Sequence, residues 1–454
     1  MSMDAGLSIP GVLPRAIALG LFAALCAFPL KAQTLLDDFQ KGLERDAEYQ
    51  SALAQRDAGL EPLEQAKAAL MPQVSASAQR SVNNTDSRSQ TTLGPIDRSF
   101  SNYPAYNASL QIRQALYRPK IWASLAQGKA QAEYAQLNLL GARQDLAQRL
   151  IGIHADWAAA NVAVASARQS LAVQQRMSDQ VLRQFQAGDG TRTDVELMQA
   201  RQAQARSQLT EAEVMLENAK VALAQVTGEV SSPLTLLDIS AQRLPLAHAD
   251  FARWLEAALE QNPVIRAQRA ALQIAREELR KARTDDLPVA DLFAARSNSK
   301  SSMDNTIGTE FRSSQIGVQI SIPIYAGGAV GSMIRQADAN VRRAQSDLNA
   351  AQSRLTVQLD RDWRNFESAR SEAQAQARQL QALSVLLESA QRGQKAGIFT
   401  RMDENQAQLQ ALAAQRDLAR ANARALVSWG RLMAGLGGLN EISLDAADQA
   451  LKSP

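Results

Sequence analysis

A chain of 454 residues has the length of roughly two to four ordinary domains, yet with 46% hydrophobic and only 5% aromatic residues it lacks the bulky material for several compact cores. Its 49 basic and 46 acidic side chains leave a net charge of +3, and the two signs are interspersed along helix-like stretches, which argues for solvated faces and against a nucleic-acid footprint. Cys26, the one cysteine, with His154 and His248 as the histidines, excludes a disulfide framework and a Cys/His zinc centre, and no metal or cofactor is expected.

The chain opens with an address. Arg15 precedes an uncharged run over 16–30, and Ala32 then stands at a small-residue cleavage position, so residues 1–32 read as a signal peptide. Leu25 sits directly before Cys26, where lipid attachment wants a small residue, which favours simple cleavage. The mature chain then carries no cysteine and suits an extracytoplasmic compartment. No later stretch approaches about 18 consecutive apolar residues, so any membrane contact must come from strands or an amphipathic face.

The mature chain is a duplication with a period of about 210 residues. The segment from Asp46 matches the segment from Asn262, with Pro72 falling on Pro288; SLQIRQALY at 109–117 matches GVQISIPIY at 317–325, and AGDGTRTDV at 187–195 matches AGIFTRMDE at 396–404. Each half reads helix, strand, loop, strand, very long helix, tight turn, shorter helix. The repeats are assigned to 33–228 and 250–438, joined by an irregular linker over 229–249 and followed by a tail over 439–454.

In the first repeat a helix over 35–70 leads to a strand over 73–87, a polar loop (SVNNTDSRSQTTLGPIDRS), and a second strand. There Tyr106, Ala108, Leu110, Ile112 and Leu116 point one way while Asn107, Ser109, Gln111 and Arg113 point the other. The second repeat has a helix over 251–286, a strand over 289–299, a loop (SNSKSSMDNTIG), and a strand in which Ile316, Val318, Ile320, Ile322 and Ile324 oppose Gly317, Gln319 and Ser321. Each second strand runs about 10 residues, enough to cross a bilayer at a tilt, and Tyr103, Tyr106, Tyr117 and Tyr325 mark the ends.

The stretch that runs from Pro119 to 187 without a further proline would form a rod of roughly 100 Å at 1.5 Å per residue, and 330–396 gives nearly the same length. Gly188 and Gly397 stop the rods; Thr191 or Thr193, and Thr400, can cap the helices that return. After the first turn Val195, Met198, Ala205, Leu209, Ala212, Leu216, Ala219 and Leu223 follow a coiled-coil spacing. Each returning helix covers only half of its rod. Stacking 193–227 on 251–286, and 402–433 on 35–70, would supply the missing halves and give four helical columns.

Four strands cannot close a barrel, and an open sheet edge in lipid leaves backbone groups unpaired at several kcal/mol each. An oligomer is therefore expected, its number left open by the spacing.

These doubled helix openings, the two second strands ending LQIRQALY and VQISIPIY, and the doubled turns GDGTRTDV and GIFTRMDE resemble the TolC family of trimeric outer-membrane channel-tunnel proteins over essentially the whole mature chain. The resemblance implies a mainly α fold with a membrane β-barrel portion: long antiparallel coiled-coil helices plus four β-strands per chain, three chains forming a 12-stranded barrel and a periplasmic tunnel. It implies a homotrimer in the outer membrane of a Gram-negative bacterium, contacting lipid, a periplasmic adaptor and an inner-membrane transporter, but not nucleic acid.

It further implies a constriction near the helix turns, with Asp403 keeping the family's carboxylate and Gln406 departing from it. Thr193 and Asp194 match polar closing contacts. Phe399 replaces an expected arginine, so an ionic latch would fall to Arg401 or Arg192. A ring of Asp403 carboxylates would favour cations and raise its own pKa by repulsion. The adaptor-facing tips are Gly188, Asp189, Gly190 and Thr191 in the first turn and Gly397, Ile398, Phe399 and Thr400 in the second. Trp157, Trp254, Trp363 and Trp429 read as packing residues, Glu277 and Glu278 as surface ion pairs, and no catalytic constellation is visible. The expected function is an exit duct for type I protein secretion or small-molecule efflux; the alternative is a periplasmic coiled-coil tethering protein without a channel.

Overall fold

The computed structural model describes residues 34–229, 244, 250–301 and 309–451. The expected leader with Cys26, most of the linker with His248, and the tip of the second strand loop lie outside them.

Two short helices open the first repeat: α1 (Leu35–Arg45) and α2 (Ala47–Ala68). The single helix expected over 35–70 is broken at Asp46, whose carboxylate accepts from the Tyr49 amide and so caps α2. The strands β1 (Gln73–Thr91) and β2 (Gly94–Tyr117) come next. Then come the rod α3 (Pro119–Gln186) and the returning α4 (Arg192–Thr227). The second repeat has the same order with α5 (Phe251–Gln261), α6 (Pro263–Ala282), β3 (Val289–Ser301), β4 (Thr309–Ser321), α7 (Ala329–Lys395) and α8 (Arg401–Leu436). Here too the expected helix over 251–286 breaks, because Asn262 caps α6 and Pro263 has no amide to continue α5. Within the stretch expected as a tail, α9 (Glu441–Leu451) forms a further helix.

Much of the polar segment expected as the first strand loop is strand. The β1–β2 ladder runs from Gln73↔Arg113 to Thr91↔Gly94 with a register shift between Asn83 and Thr85. Polar side chains do not oppose an extended backbone whose amides and carbonyls are paired across the ladder, and the Arg88–Asp97 and Thr85–Tyr103 contacts tie the two strands. Conversely β4 ends at Ser321, before Pro323, so Ile322, Ile324 and Tyr325 lie beyond the strand.

The sheet order is β1-β2-β3-β4, all antiparallel, leaving β1 and β4 as edges. Register places Val74, Ile112, Ala294 and Ile316 in one row of a single face. The opposite face carries hydroxyl pairs, Ser77–Ser109 and Ser297–Ser313, each at 2.8 Å.

Helices continue the strand order. α2 packs on α3, α3 on α6, and α6 on α7; lower down, α4 packs on α3, α3 on α8, and α8 on α7. The end-to-end stacking differs from the expected one. Arg45 at the end of α1 donates to the Thr227 carbonyl (3.2 Å), and Lys41 meets Glu229 at 2.6 Å, so α4 ends at the α1–α2 joint. Asn262 donates to the Gly435 carbonyl (2.8 Å), so α8 ends at the α5–α6 joint. The columns are therefore α4 with α2 and α8 with α6, each within its own repeat. The cause is local: the β1–β2 hairpin sets α2 beside the top of α3, while the turn after α3 sets α4 beside its bottom.

Small residues set the spacing between columns. A Cβ on Gly59 would sit 2.5 Å from the Ala135 methyl, and one on Gly128 would sit 2.9 Å from the Leu63 Cα. The coiled-coil seam of α4 is as expected: Val195, Met198, Ala205, Ala212, Ala219 and Leu223 are buried. Bulky residues gather at mid-height instead. There Trp157, Trp254 and Trp429 are buried with Leu35, Phe39, Leu150 and Leu426, while Trp363 packs against Phe251 and Trp254. α9 closes this belt by burying Leu444 and Ala447 and by accepting, through Asp448, the amide of Leu35 (3.0 Å).

Gly128→Leu is expected to destabilise the chain by about 1–3 kcal/mol through overpacking at the α2–α3 crossing. Gly141→Ala, where a Cβ meets nothing within 4 Å, is expected to leave stability unchanged or raised. Denaturant unfolding followed by helical circular dichroism separates the two.

Candidate functional site

The helix turns are built alike. α3 gives way to Gly188 (φ 87°) and α7 to Gly397 (φ 72°), left-handed positions that glycine occupies without a steric penalty. In the first turn the Thr191 hydroxyl accepts from the Asp194 amide (3.2 Å) and donates to the Asp194 carboxylate (2.6 Å), which also accepts from the Thr191 amide. Thr400 and Asp403 repeat the arrangement at 3.2 Å, 2.6 Å and 2.9 Å. Of the alternatives in the first turn, Thr191 rather than Thr193 is the cap.

The remaining residues are exposed on the first turns of the returning helices. Arg192, Thr193 and Asp194 open α4; Arg401 and Asp403 open α8, with Gln406 one turn further on. Asp403 and Gln406 share a helix face. Arg192 reaches Glu196 on its own helix at 3.8 Å, and no described ion pair joins the two turns within one chain. Beneath them Met402 and Leu409 of α8 pack on Val173, Met177, Val181, Val195 and Met198, locking the two helix pairs together.

The turns differ at their tips. Asp189 and Gly190 are exposed or half-buried in the first, and a Cβ on Gly190 would sit 3.1 Å from the Phe185 amide nitrogen. In the second, Ile398 and Phe399 are exposed apolar groups, and the Phe399 ring lies over Gly393, where a Cβ would collide with it. Gly393 lies inside a helix and away from the turn motif, so nothing in the sequence pattern singles it out.

The Thr400 hydroxyl, and after it the Thr400 amide, hold the Asp403 carboxyl below its ordinary value; Thr191 does the same to Asp194. Within one chain this opposes the rise expected from a ring of carboxylates.

Sequence reasoning also missed a groove on the face of the helical wall opposite the aromatic belt. A cavity of about 790 Å³ runs between α3, α8 and α7, lined by charged groups that include Asp145, Arg149, Asp156, Arg420, Arg424 and Arg431. It continues over α3 toward the turns as a second cavity of about 410 Å³, with Arg420 shared. Arg149 pairs with Asp46 (2.7 Å) and Arg424 with Glu372 (3.0 Å). Partial burial pushes the Asp145 and Asp156 carboxyls up. The signal was present as Arg420, Arg424 and Arg431 along one face of α8. Glu277 and Glu278 pair with Arg280 and Lys281, but Glu277 is buried rather than on the surface, because it sits on the packed face of α6 and accepts from Gln273 at 2.7 Å. Among the described residues no cluster of three or more His, Cys, Asp or Glu could hold a metal ion, and no helix is long and apolar enough to cross a membrane.

The model of the outer membrane efflux protein family matches residues 39–229 and 254–438. The alkaline protease secretion protein AprF of Pseudomonas aeruginosa is 27% identical, the match covering 94% of this chain and 89% of that protein. The proteases secretion protein PrtF of Dickeya chrysanthemi is 26% identical, covering 94% and 93%. The crystal structure of the outer membrane protein VceC of Vibrio cholerae superposes with a TM-score of 0.70 over 90% of this chain and 97% of that one, at 18% identity, a likeness of fold.

Because the folded pKa of Asp403 is depressed, the capping contribution is complete above the ordinary value of 3.8 and is lost as pH falls through the lower folded value. The protection of the Asp403 and Glu404 amides, measured relative to their intrinsic exchange rates, is therefore expected to fall on acidification below that point. In Asp403→Asn, which cannot titrate, the step disappears.

Proposed function

The chain belongs to the outer membrane efflux protein family, and from that premise we propose that it is the exit duct of a type I secretion system carrying an exported protein. The duct itself, in the outer membrane with its helices extending into the periplasm, is what the family and its relatives have in common. The observation that carries it in this chain is the sheet with two open edges. β1 and β4 must each find a partner, and in lipid only a closed barrel leaves no edge. A tethering protein lying on a surface would have no need of one apolar and one hydroxyl-bearing face.

We infer further that three copies close the barrel, giving twelve strands and twelve helical columns around a hollow interior. A leader over 1–32, repeats over 33–228 and 250–438, a linker over 229–249 and a terminal segment over 439–454 complete the chain. Protein cargo is favoured over small molecules by the protease secretion for which AprF and PrtF are named. The turns lie at the far ends of rods of about 100 Å, which suits Gly188–Thr191 and Gly397–Thr400 to an adaptor and an inner-membrane transporter. On this reading Asp403 and Gln406, with Thr193 and Asp194, line the closing end, and any latch through Arg192 or Arg401 joins separate chains.

Expressed in a Gram-negative host, the protein is expected in outer membranes as a detergent-resistant trimer that conducts ions in planar bilayers; a soluble periplasmic monomer would sink the duct reading. Asp403→Asn keeps a capping oxygen while removing charge, and is expected to lower cation over anion selectivity severalfold. Unchanged selectivity would remove Asp403 from the constriction.

A further inference from the structure

The apolar face of the sheet ends in a set of cations that the duct reading does not use. Along β3 the face runs Ala290, Leu292 and Ala294 from the helix end, then Arg296, Asn298 and Lys300 toward the distal hairpin; along β4 it runs Ile320, Val318 and Ile316, then Ser314, Arg312 and Glu310. Register fixes their arrangement. Asn298 is opposite Arg312, so Arg312 is diagonal to both Arg296 and Lys300, a separation of about 7–8 Å. In the next row Lys300 is opposite Tyr106, which is opposite Arg80 on the same face. Arg80, Arg296, Lys300 and Arg312 are all exposed. Glu310 pairs with Arg312 at 2.8 Å and stands opposite Lys300 in the register, while Arg80 and Arg296 take no ion pair among the described residues.

Beside the cations the face is flat and small. Ala76, Ala78 and Ala108 occupy the rows that lead to Arg296 and Asn298, and a furrow of about 490 Å³ has these residues and Leu110 in its lining. Side chains of this size leave room for a hydrocarbon chain to lie against the strands, and the cations then stand where its headgroup would end. A solvated surface cation needs neither the furrow nor the diagonal clustering.

We propose that Arg296, Lys300 and Arg312, with Arg80 and Tyr106 at the flank, bind the phosphate groups of a phosphorylated lipid in the outer leaflet, with one acyl chain lying in the alanine furrow. The inference rests on the barrel reading, which turns the apolar face to lipid and the distal hairpins outward. Cations at the membrane surface attract anionic headgroups; here Arg312 stands one diagonal spacing from each of Arg296 and Lys300, which flank Asn298 on β3 at the boundary of the apolar band.

The test uses the full-length trimer purified in detergent, with lipid binding followed by native mass spectrometry. The probes are bis-phosphorylated lipid A, the same lipid A after enzymatic dephosphorylation, and inorganic phosphate. Wild type is expected to retain bis-phosphorylated lipid A, to bind the dephosphorylated form on the order of tenfold more weakly, and to show no comparable affinity for inorganic phosphate. Arg296→Gln with Lys300→Gln and Arg312→Gln is expected to abolish the preference for the phosphorylated form. A charge-matched variant losing Arg335, Arg342 and Arg354 from α7 is expected to keep it. Equal binding of the two lipids, an unaffected triple variant, or equal weakening in the charge-matched variant would each overturn the proposal. Trimer survival is read in the same spectra, so failure to assemble, which counts against the barrel reading, is distinguishable from loss of lipid specificity.

Discussion

Backbone pairing between strands governs the rest of the molecule. A strand in lipid must satisfy its amides and carbonyls through its neighbours, and the resulting order, β1-β2-β3-β4, is handed directly to the helices that enter and leave the sheet. α2 precedes β1, α3 follows β2, α6 precedes β3 and α7 follows β4, so the columns stand in the order the strands do. The helical wall therefore inherits both its neighbours and its two unfinished edges from the sheet. A helical bundle free of this constraint would curl into a compact core; this one is held open as a layer of neighbouring columns.

A layer one helix thick can bury little, and the chain meets that limit in two ways. Where columns touch, alanine and glycine bring backbones close, as at Gly59 with Ala135 and Gly128 with Leu63, and dispersion over long contacts replaces bulky side chains. At mid-height, α1, α5 and α9 lie against one face and supply a true core around Trp157, Trp254 and Trp429. The column joints fall at this level too: Arg45 on Thr227 and Asn262 on Gly435 satisfy carbonyls that the ends of α4 and α8 leave over. The aromatic-poor composition thus reflects a wall that, among the described residues, thickens at its waist.

Most of this was legible in the sequence because it rests on periodicity. The rods, the seam from Val195 to Leu223, and the alternation of Leu110 and Ile112 with Ser109 and Gln111 are local patterns. What escaped was contextual. Ser, Asn and Thr between 81 and 99 read as loop by composition, yet their backbone pairs across a long hairpin. Helix lengths alone do not say which end meets which, so they point to the wrong column partners; the hydrogen bonds of Arg45 and Asn262 identify the right ones. The family resemblance singled out Thr193, Asp194, Asp403 and Gln406, and the structure explains Asp194 and Asp403 first as the carboxylates that complete the capping boxes of Thr191 and Thr400. The charged groove beside α8 needed three helices to be brought together before it could be seen.

The two repeats diverge where they are exposed and agree where they are packed, and the comparison carries the wall beyond one chain. Counting back equally from Gly188 and Gly397, Met177 of α3 corresponds to Leu386 of α7. Met177 is only 1% exposed, in the cluster on which Met402 and Leu409 of α8 pack, whereas Leu386 is 46% exposed at the free edge. The counterparts of Met402 and Leu409, counted forward from the same glycines, are Thr193 and Ala200, exposed on α4 at the opposite edge. If the internal seam between repeats is the pattern for the seam between chains, Thr193 and Ala200 of one copy cover Leu386 of the next. Thr193, proposed above to line the closing end, would then lie at a subunit boundary of the proposed trimer. A small polar group facing a leucine there would make a weaker contact than that of Met402 inside the chain.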